Sequence, residues 1–153
     1  MSEVARQELT LTLSRHFDAP PDKVFDAWIS PEWGDWLPPH GATCKVTVID
    51  PRPGGQFQAA MSMPDGRHIV VSGTYRDVQR PTRLVFTWQG DCVDFDTVVT
   101  LTFKADGAGT LMSLRQEGFE QDAMRAGFET GWDGQGGSFD KLVAFLKQEA
   151  AHG

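Results

Sequence analysis

The residues of this chain that could do chemistry are spread rather than gathered. The segment DCVDFD places Asp91, Asp94 and Asp96 together, a set of carboxylates of the kind used in acid–base work. A run of acids between strand and turn reads more simply as a solvated loop. His16, His40, His68 and His152 show no ligand spacing. Cys44 and Cys92 are too few and too far apart for a zinc site or a disulfide framework, and read as reduced thiols in apolar, strand-like surroundings. No serine or histidine stands in a recognisable nucleophile context. No catalytic constellation emerges, and neither a metal nor a cofactor is expected.

The aromatic residues carry more information. Five tryptophans and ten phenylalanines are many for 153 residues, and aromatics with methionines commonly line apolar ligand pockets. The formal net charge is −7 with no basic stripe, which argues against a nucleic-acid partner. No apolar run approaches the roughly 20 residues that span a bilayer, so no membrane association is expected. The opening MSEVARQELTL lacks the basic and apolar regions of a signal peptide, and the expected location is the cytoplasm.

The elements that would position these aromatics follow from periodicity. ELTLTLSRHF alternates, with Leu9, Leu11 and Leu13 on one side, and predicts a half-buried strand. DAPPDKVFDAWIS predicts a helix, with Pro20 and Pro21 near its first turn and Val24, Ala27 and Trp28 on one face. PEWGDWLPPHG predicts a short helix or turn. From residue 44 the period becomes two, giving six further strands joined by short turns and therefore paired as an antiparallel meander. After Phe119 the period turns helical: Met124, Phe128, Trp132, Phe139, Leu142, Val143 and Leu146 predict a helix over about 121–149, roughly 40 Å long. One domain over 1–153, with a core from about 7 to 149, is the expected organisation.

Four segments, in order and at matching spacings, resemble one family: RHFDAPPDKVFDAWISPEWGDWL, GTYRDVQRPTRLVFTW, TLTFKADGAGTLMSLRQEGF and GWDGQGGSFDKLVAFL. Each is weak alone; in register they cover nearly the whole chain. They are similar to the heat-shock-protein-90 ATPase activator homologue-like branch of the START-like superfamily (SRPBCC, birch-pollen-allergen-like). The resemblance implies an α+β helix-grip fold: a curved antiparallel sheet of six to seven strands around a long C-terminal helix, one or two short helices after the first strand, and a cavity between sheet and helix. It does not imply one activity, because fold and function are separable. The implied function is binding of a small hydrophobic or aromatic molecule. The alternatives are a polyketide cyclase or dehydratase-like enzyme and a co-chaperone-like ATPase activator. The activators for which the family is named carry an additional N-terminal domain that is not seen here, which makes a chaperone partner the weaker expectation.

Combining alternation with this fold points Phe57, Met61, Val71, Gly73, Tyr75, Leu84, Phe86, Trp88, Val99, Leu101, Phe103, Met112, Leu114 and Gln116 inward. The expected ligand-binding residues are Trp36, Phe57, Tyr75, Phe86, Trp88, Val99, Leu101, Gln116, Met124, Phe128 and Trp132. An enclosed space bounded by Phe86, Trp88, Leu101, Met124, Phe128 and Trp132 is expected, with Trp132 bordering it and having few packing partners on its far side. His68 or Asp96 could reach its mouth. Gly131, Gly134, Gly136 and Gly137 weaken the predicted C-terminal helix. A bent but continuous helix whose backbone closes on the sheet is the expectation; a break between two helical pieces is the alternative.

Overall fold

The computed structural model describes residues 9–38, 41–90 and 97–152. His40, Asp91, Cys92, Asp94 and Asp96, and the side chain of His152, lie outside the described residues. The strands are β1 (Leu11–Phe17), β2 (Thr43–Ile49), β3 (Gln56–Ser62), β4 (His68–Gln79), β5 (Arg83–Gly90), β6 (Thr97–Asp106) and β7 (Gly109–Glu117). They form one curved antiparallel sheet in the order β1-β7-β6-β5-β4-β3-β2. Six strands run as the expected meander, and β1 joins it by pairing with β7, Leu13 opposite Leu114. Helix α1 (Pro21–Ile29) and a 3-10 helix (Pro31–Asp35) follow β1; α2 (Asp122–Asp133) and α3 (Ser138–His152) follow β7.

Alternation decides which face of the sheet is buried. Phe57, Met61, Val71, Tyr75, Leu84, Phe86, Trp88, Val99, Leu101, Phe103, Met112, Leu114 and Gln116 are all buried, while Arg76, Thr102, Lys104 and Arg115 of the opposite parity are exposed. Gly73 keeps that face continuous where β3, β4 and β5 crowd. A Cβ there would lie 1.9 Å from the Thr87 carbonyl oxygen and 2.5 Å from the Phe57 ring, so only glycine permits the approach. Helix α1 covers the sheet with Val24, Phe25, Ala27 and Trp28. Trp28 meets Trp36 edge to face at 4.8 Å and points its indole N–H at the Met112 sulfur.

The C-terminal segment departs from the continuous helix expected. It is two helices, separated at 134–137. Gly134 caps α2 in extended backbone, with its N–H on the Thr130 carbonyl at 2.9 Å. Gly136 sits at φ +74°, the left-handed region that ends a helix. The glycines therefore serve the junction and not, as expected, a close approach to the sheet. Asp140 in the first turn of α3 accepts from the Gly136 N–H at 2.9 Å and from Arg15 at 2.8 Å, while Arg15 also donates to Asp133 at the end of α2 at 2.9 Å. One guanidinium on β1 thus clamps both sides of the break and lies 5.7 Å above the Phe139 ring.

Candidate functional site

The two C-terminal helices attach to the sheet differently, and the site exists because of it. In α3, Phe139, Leu142 and Leu146 are buried at helical spacing. In α2 only Trp132, in the last turn, is buried; Met124 and Phe128 are half-buried, and Ala123 and Gly127 are exposed. The first two turns of α2 stand over the β3–β4 end of the sheet without closing on it. Between them lies a pocket of about 430 Å³, within the range typical of small-molecule sites. Its floor is Met61, Val71 and Trp88; Met63 and Ile69, flanking the β3–β4 turn, form one side. The α2 wall presents Met124, Gly127, Phe128, Gly131 and Trp132, and Leu37 with Ser138 closes one end.

A chain of hydrogen bonds fixes the aromatic part of this wall. The Trp132 indole N–H donates to Gln116 Oε1 at 3.0 Å, Gln116 Nε2 donates to Thr97 Oγ1 at 2.8 Å, and the Thr97 hydroxyl donates to the Trp88 carbonyl at 3.1 Å. The inward Gln116 finds its partners in protein groups, as a fully buried amide must. Trp132 is packed against Trp28 at 5.6 Å, Trp88 at 5.5 Å and, stacked, Phe139 at 6.0 Å. It borders the pocket but also belongs to the core, and the sparse packing expected on its far side is not what the rings show. Trp88 and Phe128 meet edge to face at 6.3 Å, and Phe128 leans on Phe119 at 5.4 Å.

Of the residues expected to bind ligand, Trp88, Met124, Phe128 and Trp132 line this pocket. Trp36, Phe57, Tyr75, Phe86, Val99, Leu101 and Gln116 do not; they are buried in the core. Phe57, Tyr75 and Phe86, with Trp28 and Trp33, surround a void of about 10 Å³, room for about one water. The expected space is displaced toward β3–β4 and opens to solvent instead of being enclosed, because Trp28 of α1 and Trp33 of the 3-10 helix pack on Phe86 and Phe57. Phe86 and Leu101 therefore pack below it. Leu37, Met63, Ile69, Gln121, Ala123, Gly127, Gly131 and Ser138 were not expected there. Met63 and Ile69 continue the inward parity of Phe57–Met61 and Val71–Tyr75, so alternation carried across the hairpin turn identifies them. Leu37 and Ser138 are brought in by long-range contact, the Ser138 hydroxyl donating to the Leu37 carbonyl and Lys141 Nζ to the Pro38 carbonyl at 2.5 Å.

The remaining reactive groups lie elsewhere. His68 is exposed and shares a 3.2 Å hydrogen bond with Ser62. Burial pushes the Cys44 thiol up to about 11, with nearby Lys141 opposing only in part, so this sulfur is protonated near neutral pH and a poor nucleophile. Burial likewise raises Tyr75 and lowers Lys141. Among the described residues, no three His, Cys, Asp or Glu side chains gather as a metal site would require, and no helix is long and apolar enough to cross a membrane.

Residues 18–147 match the family described as activator of Hsp90 ATPase homolog 1-like protein. No curated protein matches the sequence. Among solved structures, protein CV1439 from Chromobacterium violaceum is 28% identical with a TM-score of 0.83, the alignment covering 91% of this chain and 97% of that one. Protein NE0264 from Nitrosomonas europaea is 26% identical with a TM-score of 0.77, over 94% and 97% of the two chains. The AHSA1 protein from Silicibacter pomeroyi is 26% identical with a TM-score of 0.77, over 92% and 99%.

Proposed function

Because the chain belongs to the activator of Hsp90 ATPase homolog 1-like family, we propose that it uses the pocket under α2 to bind a neutral, mainly apolar small molecule. The observation that carries this reading is the lining: thioethers of Met61, Met63 and Met124, aromatic faces of Trp88, Phe128 and Trp132, aliphatic groups, and no charged side chain. Gln121 at the rim is the polar group placed to meet a ligand's polar end, since the Ser138 hydroxyl is engaged by Leu37. A charged ligand would lose its hydration there without gaining a counter-charge. An apolar one gains about 25 cal/mol for each Å² it withdraws from water.

Binding is favoured over catalysis because none of the lining side chains transfers protons near neutral pH. A co-chaperone role finds no corresponding feature in the pocket. Trp88 and Trp132 supply the test, being ring neighbours in the pocket wall. Titration with N-phenyl-1-naphthylamine, a neutral apolar fluorophore, should quench tryptophan emission and saturate at one equivalent. Phe128→Asp, which puts a carboxylate into the wall at a half-buried position, should weaken that binding at least tenfold. Failure of the unmodified protein to bind this probe and a neutral alkyl alcohol alike overturns the reading.

A further inference from the structure

Gly127 stands in the middle of α2, where glycine is the poorest ordinary choice for a helix. Three other glycines of this region have visible reasons. Gly136 has positive φ, and a Cβ on Gly134 or Gly137 would come within 2.4 Å or 2.7 Å of a carbonyl oxygen. Gly127 has none of these. It is helical, it does not have a left-handed φ, and a Cβ there would meet nothing within 4 Å. Neither backbone conformation nor packing against the protein requires it. What it faces is the pocket, whose wall it shares with Gly131 one turn on, between Met124 and Phe128.

Resting on the binding function proposed above, we propose that Gly127 is the size- and shape-determining residue of the pocket, keeping bare helix backbone where the flat face of a ring-containing neutral ligand lies. The opposite wall is the rigid one: Trp88 is held by rings on several sides, and its carbonyl anchors the Thr97–Gln116–Trp132 chain. A planar molecule enters between that wall and the glycine strip without displacing either. A side chain at 127 projects into this gap. Methionines at 61, 63 and 124 adapt to the ligand's outline, being unbranched and polarizable.

The test separates fit from folding, because the substitution that narrows the pocket should improve the helix. Gly127→Ala and Gly127→Leu are compared with the unmodified protein by thermal unfolding and by titration with two probes, N-phenyl-1-naphthylamine (flat rings) and 1-dodecanol (a flexible chain). Gly127→Ala should raise the unfolding midpoint and weaken the ring probe several-fold. Gly127→Leu should weaken the ring probe more than tenfold, while the alkyl probe changes less than threefold because it can bend around the new side chain. Equal affinity of all three proteins for the ring probe, or equal losses for both probes, overturns the assignment while leaving the binding function standing. A lower unfolding midpoint for Gly127→Ala also overturns it, since glycine would then be needed by the fold. No binding of either probe to the unmodified protein removes this inference together with the function it rests on.

Discussion

Helices α2 and α3 come from one stretch of apolar periodicity, yet they do different work. Helix α3 buries Phe139, Leu142 and Leu146 against the sheet; α2 buries Trp132 and leaves its first two turns standing clear. The difference arises at 134–137. A continuous helix would carry both halves along one line and commit both to the core. The break lets α3 follow the sheet while α2 stands off from β3 and β4, and the gap is the pocket. Core packing is therefore concentrated in α3 and the last turn of α2, and the pocket wall in the rest of α2.

The sharpest way to break this comparison is to truncate one apolar residue in each helix. Leu142→Ala, at a fully buried position, should cost about 2–5 kcal/mol. Met124→Ala, half-buried on a pocket wall with few partners to lose, should cost less than about 1 kcal/mol while altering probe binding. Chemical denaturation measures both; equal costs would mean that α2 is as much core as α3. Amide hydrogen exchange gives the same comparison without mutation, with faster exchange expected in the first turns of α2 than in α3.

Trp132 joins the two regimes and should show a middle effect. Trp132→Phe keeps a ring among Trp28, Trp88 and Phe139 but removes the N–H donated to Gln116. A fully buried amide oxygen left without its donor costs about 1–3 kcal/mol. Denaturation of Trp132→Phe against Trp132→Phe/Gln116→Leu checks the cause: the second substitution removes the stranded amide and should recover part of the loss. No recovery would place the cost in ring packing instead.

Much of the fold was legible in the sequence, because a meander with short turns leaves few choices of pairing and period-two alternation assigns its faces. Every strand residue read as inward from Phe57 to Gln116 lies on that face, although Gly73 is only half-buried. The site was legible in part. Alternation tells inside from outside but does not tell core from cavity, since Phe86 and Trp88 have the same parity and only Trp88 reaches the pocket. That distinction is made by where Trp28 of α1 and Trp33 of the 3-10 helix cover the sheet and where α2 stands clear of it. It depends on a helix break whose glycines were visible in the sequence, but whose two sides are bridged by Arg15, more than a hundred residues away.

The smallest expected effect tests that remote clamp. Asp140 accepts from Arg15 and from the Gly136 N–H, and these two bonds, that of Arg15 the stronger influence, hold its carboxyl below the usual carboxylate range. In the unfolded chain an aspartate titrates near about 3.9. A group with a lower folded value adds stability that is present above its unfolded value and lost as pH falls through the folded one. The Arg15–Asp140 pair should therefore support the junction at neutral pH and weaken below about pH 4. Because Arg15 and Asp140 are partly exposed, the effect is that of a surface pair, on the order of 1 kcal/mol or less, and salt should diminish it. Asp140→Asn keeps an oxygen for the Gly136 N–H but removes the charge. Its unfolding free energy should fall below that of the unmodified protein at pH 7 and converge with it toward pH 3. Probe binding at pH 7 should weaken as well, because α2 is held at the junction by the same guanidinium. A constant offset between the two proteins from pH 7 to pH 3 would mean that Asp140 acts as a neutral hydrogen-bond acceptor, and that the ion pair does not set the angle between the helices.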